Sequence, residues 1–137
     1  MTDAEEYIAV REEITVEGFF KATFYVNDVL EIFFDHSVEI VETIHLQKIQ
    51  EVAGKLGGGK KLNLLFHMHE FLHTSPEGSK FATSEEGVRF SNMIAVIVDN
   101  LPKRILMNFF VTFHKPKVPT RGVKSKKDAF DWFLKYK

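Results

Sequence analysis

The first third of the chain has the hydrophobic pattern of β-strands. Residues 7–13 alternate apolar and charged side chains, and two runs rich in β-branched and aromatic residues follow at 19–26 and 29–34. Only Asn27 and Asp28 separate these two runs. Two residues of this type between two such runs are typical of a tight hairpin turn. The pattern therefore predicts an N-terminal strand followed by a β-hairpin.

The apolar period changes to that of helices after residue 35. One helical face would collect Val38, Val41, Ile49, Val52, Ala53 and Leu56. Ser37 is placed to cap the start of this helix, and the glycines at 57–59 end it. The pattern predicts a first helix that begins directly after Ser37.

Two more helices are predicted near the C-terminus. Residues 101–113 carry a broad apolar arc that fits a protein core, formed by Ile105, Leu106, Phe109, Phe110 and Phe113. Ser125 is placed to cap the last helix. This helix is expected to bury Ala129, Phe130, Phe133 and Leu134.

Strands and one short helix fill the space between these elements. The runs 61–68 and 93–98 are predicted strands, and the second is apolar throughout, as in strands covered on both faces. A short helix is predicted near 76–86, and a short strand at 120–123. A hairpin followed by helices and strands in alternation indicates an α/β sheet with right-handed crossovers.

The composition is that of one globular domain. The chain has 137 residues, 45% of them hydrophobic and 14 of them phenylalanine, which is enough for a core rich in aromatic rings. The absence of cysteine excludes disulfides, thiolate metal sites and cysteine nucleophiles. Residues 1–6 lack the basic and apolar regions of a signal peptide, and no apolar run approaches the ~20 residues of a membrane helix. We expect a cytoplasmic protein without a membrane contact.

Charge is segregated along the chain. Residues 1–51 contain three basic and twelve acidic side chains, whereas residues 101–137 contain ten basic and two acidic ones. Such an arrangement can steer a partner or pair with a second copy, and it also arises from two ordinary solvated faces. The cations that we select as a candidate interaction surface are Lys103, Arg104, Lys115, Lys117 and Arg121.

Several motifs in the second half of the chain belong together. They are Ala95-Val96-Ile97-Val98-Asp99-Asn100-Leu101, Arg104-Ile105-Leu106, Asn108-Phe109-Phe110, Lys115-Pro116-Lys117-Val118-Pro119 and Ala129-Phe130-Asp131-Trp132-Phe133. With them, residues 18–137 resemble a family of uncharacterised bacterial STAS-like domains. That family is related in fold to the anti-sigma-factor antagonists and is also labelled STAS/SEC14-like. Residues 1–17 form an extension outside the resemblance.

The resemblance implies an α/β fold with a mixed sheet of four to five strands, packed with about four helices. The predicted N-terminal strand would come in addition. The resemblance also implies no catalysis, no cofactor and a role in binding. True antagonists are regulated by phosphorylation of a serine in an Asp-Ser-[Ser/Thr]-Gly-like motif, which residues 67–76 lack. Thr74 and Ser75 remain candidate phosphorylation sites, although a helix N-cap before Pro76 explains them equally well.

Three histidines form the sharpest local feature. If the strand at 61–68 continues to His69, the side chains of His67 and His69 share one face, and His73 could complete a three-histidine zinc site. Hydrolase versions of this motif carry an aspartate two residues after the second histidine, where Phe71 stands here. We therefore favour histidines that are on the surface or are hydrogen-bonded parts of the structure.

These observations favour a non-enzymatic STAS-like regulatory or protein-interaction module, with an acidic protein partner or a homodimer formed through residues 101–113. The alternatives are a carrier of a small apolar ligand, held in a cavity lined by phenylalanine, and a metal-dependent enzyme that uses His67, His69 and His73. The basic C-terminal third could also contact nucleic acid, but the isoelectric point near 6.6 argues against this.

Overall fold

A mixed β-sheet with helices on both faces organises the protein in the computed structural model, which describes residues 8–69 and 72–135. The chain runs through β1 (Val10–Val16), β2 (Phe20–Tyr25), β3 (Val29–Phe34), β4 (Ile40–Val41), α1 (Thr43–Leu56), β5 (Leu62–His67), β6 (His73–Thr74), α2 (Pro76–Ala82), a 3₁₀ turn (Glu86–Val88), β7 (Ser91–Ile97), α3 (Leu101–His114), β8 (Thr120–Val123) and α4 (Lys126–Lys135).

The main sheet has six strands in the order β1-β2-β3-β5-β7-β8. The first three are antiparallel, and β3, β5, β7 and β8 are parallel to one another. The strands β4 and β6 form a separate parallel pair. The predicted α/β class with a mixed sheet is confirmed, and the strand count is slightly higher than expected.

The predicted hairpin is present, with a different turn. Three residues, Val26 to Asp28, connect β2 to β3, and only Asp28 has a positive φ, of 67°. A three-residue connection that ends in a left-handed residue matches the twist of antiparallel strands, as the two-residue primed turns do. The backbone N–H of Asp28 donates to the carbonyl of Tyr25, which closes the turn.

Two hydrophobic layers cover the sheet. The larger lies between α1 and the sheet and includes Phe20, Phe24, Ile32, Ile49 and Leu64. The smaller lies between α4 and the sheet and includes Val29, Met93, Ala95, Val123, Ala129 and Phe133. The strand β7 contributes side chains to both layers. Both of its faces are therefore covered, which explains its continuous apolar run in the sequence. In α4 the prediction fails at Leu134, which is 60% exposed.

The first helix begins later than predicted. Val38 and Val41 are buried as expected, but residues 40–41 pair with β6, and the helix starts at Thr43. Its first turn is capped by Glu42, whose backbone N–H donates to His45 Nδ1 at 2.9 Å. Ser37 hydrogen-bonds to Asp35 instead. The backbone N–H and C=O groups of residues 40–41 form hydrogen bonds with β6 instead of with a helix. This tertiary contact overrides the helical periodicity of the sequence.

Candidate functional site

Helix α3 lies beside β8, at one end of the sheet. Asn100 caps its start by accepting a hydrogen bond from the backbone N–H of Lys103 at 2.9 Å. Lys103 also anchors the helix, because its Nζ donates to the carbonyl of Met68 at 2.7 Å and to Asp99 at 3.0 Å. The helix ends at His114 and is capped by Lys115, which has a left-handed conformation with φ 46°. These contacts fix both ends of α3 without burying its centre.

The outward face of α3 is apolar and uncovered. None of its fourteen residues is buried. Five large apolar side chains on this face are between 56% and 66% exposed, namely Leu101, Ile105, Leu106, Phe109 and Phe113. The rings of Phe109 and Phe113 stack with centroids 4.3 Å apart. The expectation that this arc joins the core is wrong, because α3 contacts β8 and α2 and leaves these five side chains in solvent. We call these five side chains the apolar face.

A cleft of about 380 Å³ separates α3 from β8. Val98, Met107 and Val111 form its apolar lining, and Arg104 lies along its helix side. A Cβ atom at Gly122 would lie 2.8 Å from a methyl of Val98, which follows β7, and 3.2 Å from Met107 Cγ on α3, so glycine allows β8 to approach both neighbours closely. This cleft is not the phenylalanine-lined cavity expected for a ligand carrier, because no phenylalanine among the described residues lines it.

The predicted cations are distributed around α3. Lys103 and Arg104 lie in its first turn, Lys115 and Lys117 follow its C-terminus, and Arg121 lies on β8. Arg121 places its guanidinium 5.9 Å from the ring centre of Trp132, on the α4 side of the sheet. Within the described residues, Lys103 pairs with Asp99, whereas the other four form no ion pair. The structure thus gathers four unpaired cations at this end of the sheet.

The three histidines have separate environments. The strand ends at His67, so His69 lies beyond it, and His73 is in β6. His67 Nε2 contacts Glu31 Oε2 at 2.6 Å, and His69 packs near the ring of His36. Across residues 8–69 and 72–135, no three His, Asp or Glu side chains are arranged to hold a metal ion.

His67 belongs to a polar cluster centred on Glu31, on the α4 side of β3. The Tyr25 hydroxyl donates to Glu31 Oε1 at 2.6 Å, and Lys126 Nζ lies 3.2 Å from the same oxygen. Lys126 also donates to the Tyr25 hydroxyl at 2.6 Å. The Glu31 side chain is 2% exposed. The strands β2, β3 and β5 and the helix α4 thus each contribute one side chain to this buried carboxylate site.

Charge and hydrogen bonding decide the ionisation of this cluster. Burial alone would raise the pKa of Glu31, but hydrogen bonds from His67 and Tyr25 and the charge of Lys126 lower that pKa to about 2. Burial also raises the pKa of Tyr25, and the hydrogen bond to Glu31 adds to this effect. Burial would lower the pKa of Lys126, yet its bonds to Tyr25 and Glu31 raise it. Glu31 is therefore ionised and Lys126 protonated at neutral pH.

The sequence contains one signal for this cluster, which hydrophobic periodicity alone does not identify. Glu31 interrupts an otherwise apolar strand, Val29-Leu30-Glu31-Ile32-Phe33-Phe34. A charge in such a run is either on a solvated face or buried with partners. Its partners Tyr25 and Lys126 are 101 residues apart in the chain, so only the fold brings them together.

Thr74 and Ser75 lie at the start of α2. Ser75 is 8% exposed, and its hydroxyl accepts from the backbone N–H of Gly78 at 2.9 Å, which is the N-cap contact predicted for it. Thr74 is in β6 and pairs with Val41. Phosphorylation of either residue stays a prediction.

Comparison with known proteins gives the family and the fold. The model of a domain of unknown function, DUF7793, matches residues 23–137. No curated protein matches the chain. A solved structure of an uncharacterised DUF3478 protein with a SpoIIAA-like fold, from Shewanella loihica PV-4, superposes with a TM-score of 0.52 at 16% identity, over 91% of this chain and 92% of that one. No helix in the described part of the chain is both long and apolar enough to cross a membrane. The chain belongs to the DUF7793 family and has the SpoIIAA-like, that is STAS-like, fold expected from its sequence.

Proposed function

We propose that this protein is a non-enzymatic regulatory module that binds an acidic protein partner through the apolar face of α3 and the cations beside it. The observation that carries the proposal is a fourteen-residue helix without a buried residue and with five large apolar side chains in solvent. Contiguous exposed apolar side chains of this kind, rimmed by polar groups, mark interaction sites in folded proteins.

The energetics of the apolar face favour a covered state. Complete burial of a fully exposed Leu, Ile or Phe gains about 1.5–3 kcal/mol, and these side chains, which are just over half exposed, would gain part of this. Aromatic side chains are also enriched among the residues that dominate binding energy at interfaces. Phe109 and Phe113, stacked on each other, form the centre of the surface that we propose.

Charge favours an acidic partner over a second copy of the chain. If two α3 helices packed in an antiparallel manner, the first turn of one copy, which carries Lys103 and Arg104, would lie near the end of the other copy, which is followed by Lys115 and Lys117. Parallel packing would place like residues against each other. Both orientations bring like charges together, which opposes association. A partner with acidic side chains around an apolar patch avoids this cost and gains steering from the cations.

Site-specific crosslinking in cells of the source organism tests the proposal. A photoreactive phenylalanine analogue replaces Phe109, and the same analogue at Leu134, exposed on α4, is the control. We expect a crosslinked adduct from position 109 and none from 134, with an acidic protein identified by mass spectrometry. Adding Lys115→Glu and Lys117→Glu should lower the adduct yield. An adduct containing only a second copy, or one indifferent to these charges, refutes the proposal.

The cleft between α3 and β8 favours a second candidate function, the binding of a small ligand. Its volume is at the lower end of the 300–1,000 Å³ typical of ligand pockets, and Val98, Met107 and Val111 line it. Native mass spectrometry of the untagged protein from its own cells tests this function. A bound small molecule supports it, and a mass equal to that of the chain alone counts against it.

A further inference from the structure

Among the described residues, Glu31 is the only charged residue in the buried set. Replacing a buried ion pair with well-packed apolar residues often leaves the stability of a protein unchanged or improves it. Stability alone therefore does not explain why a glutamate is buried at position 31. Carboxylates held in their ionised form by donors are common beside reactive histidines. The partner that points to such a role here is His67.

The hydrogen bond to Glu31 fixes which nitrogen of His67 carries a proton. An ionised carboxylate only accepts hydrogen bonds, so Nε2 donates to Oε2 across the 2.6 Å contact. In the neutral ring the lone pair is then on Nδ1. The ring is held in place by Phe33, which stacks on it with centroids 4.1 Å apart and planes 13° apart. Glu31 and Phe33 therefore set both the tautomer and the orientation of His67.

The second nitrogen of His67 is accessible. Within the described part of the chain, Nδ1 makes no hydrogen bond. Nδ1 is also not fully buried. The His67 side chain is 28% exposed. A reagent in solution can thus reach the lone pair, while the opposite side of the ring is bonded to the protein.

We propose that His67 is a nucleophilic histidine that accepts a phosphoryl group on Nδ1 from a small phosphoryl donor of the phosphoramidate or acyl phosphate class, with Glu31 as its positioning residue. With phosphoramidate, the Nδ1 lone pair forms the N–P bond as the donor's own P–N bond breaks. The donor nitrogen leaves as ammonia with the electron pair of that bond. The Nε2 proton stays in its hydrogen bond to Glu31, which offsets the positive charge that develops on the ring.

The charges around His67 suit a phosphoryl group better than a neutral acyl group. Lys126 contacts the same carboxylate as His67, and the Lys126 side chain is 47% exposed. Lys103 bonds to the carbonyl of Met68, the next residue in the chain, and offsets the charge of Asp99. Each ammonium uses two of its three N–H donors in these contacts, so one donor on each remains for an oxygen of a phosphoryl group. This proposal does not depend on the apolar face of α3.

The test is phosphorylation of the full chain by phosphoramidate at mildly alkaline pH. Intact-mass and fragment mass spectrometry follow the reaction at each histidine, and phosphorus NMR identifies the modified nitrogen. The exposed His36 and His73 serve as references within the same molecule. We expect His67 to react at least about tenfold faster than either reference, with the phosphoryl group on Nδ1.

Two variants separate positioning from folding. Glu31→Gln should slow the reaction of His67 by about tenfold, the size of effect typical for loss of a residue that orients a histidine. The rates at His36 and His73 should not change, and circular dichroism verifies that the variant is folded. Tyr25→Phe removes a donor to Glu31 but keeps the Glu31–His67 pair, and should change the rate little. The proposal fails if His67 reacts no faster than His36 and His73, or if the folded Glu31→Gln protein reacts at the wild-type rate.

Discussion

At the scale of single residues, the cluster around Glu31 holds an ionised carboxylate beneath α4. Three donors, the Tyr25 hydroxyl, His67 Nε2 and Lys126 Nζ, satisfy its two oxygens. Lys126 is the first residue of α4, and Glu31 lies on β3, so the cluster also ties that helix to the sheet. Removing one partner would leave buried polar atoms unsatisfied.

Glu31 makes the stability of the protein dependent on pH in a defined direction. Because its pKa is lowered from 4.5 to about 2 on folding, it stabilises the folded state above pH 4.5. This contribution is lost as the pH falls from 4.5 towards 2. We expect the free energy of unfolding of the wild type to fall by about 2 kcal/mol more than that of Glu31→Gln between pH 7 and pH 2.5.

Urea denaturation of both proteins at several pH values measures this difference. Other carboxylates titrate in both chains, so their contributions cancel in the comparison. Parallel curves for the wild type and the variant over this range would show that Glu31 has an ordinary pKa.

A single hydroxyl caps α2. Ser75→Ala removes the acceptor for the backbone N–H of Gly78, and we expect a loss of about 1 kcal/mol in the free energy of unfolding. Ser37→Ala is the matched control, because Ser37 is exposed and caps no helix. Its effect should stay within about 0.5 kcal/mol. Equal effects of the two substitutions in thermal or urea denaturation would contradict the assignment of the cap.

At the scale of elements, α3 differs from the other long helices. The helix α1 buries Ile49, Gln50, Val52 and Ala53, and α4 buries Ala129 and Phe133, whereas α3 buries none of its residues. The helix is retained by its caps and by the Lys103 anchor. The five side chains of the apolar face therefore contribute to recognition in our proposal, and little to folding.

Substitutions in α3 test this separation. The double change Leu106→Gln and Phe109→Gln should alter the free energy of unfolding by less than about 1 kcal/mol, because both side chains are already in solvent. Phe24→Ala, in the buried layer under α1, is the contrasting variant and should cost about 3–5 kcal/mol. Losses of similar size in chemical denaturation would show that α3 belongs to the core.

At the scale of the whole molecule, the charge segregation of the sequence corresponds to the two ends of the sheet. The edge strand β1 carries the exposed Glu12 and Glu13, and the opposite edge strand β8 carries the exposed Arg121. Charged residues on edge strands oppose unwanted pairing with other sheets. The strand β1 also carries the exposed Arg11, whereas Arg121 is the single charged residue of β8, which fits an acidic partner at the β8 end.

Removal of the N-terminal extension tests the role of the β1 edge. A chain of residues 18–137 would expose the backbone of β2, whose side chains Phe20, Ala22 and Phe24 are buried. We expect this shorter chain to unfold at lower urea concentration and to self-associate through the freed strand. Sedimentation velocity beside the full-length chain measures the association. A monomeric shorter chain of unchanged stability would show that β1 is dispensable.

The sequence by itself determined the order and type of most elements. The strands at 62–67, 91–97 and 120–123 and the helices at 101–114 and 126–135 lie close to their predicted positions, because local periodicity and capping residues encode them. The resemblance of residues 18–137 supplied the fold, and the superposition with a SpoIIAA-like structure confirms it.

Only the tertiary structure decided which apolar residues are core and which polar residues meet. The sequence could not place α3 at the edge of the sheet, so its arc resembled a buried face. It could not start α1 at Thr43, because the pairing of β4 with β6 joins segments about 33 residues apart. Nor could it assemble Tyr25, Glu31, His67 and Lys126, which come from separate parts of the chain. Periodicity encodes contacts along one element, whereas burial and side-chain clusters depend on contacts between elements.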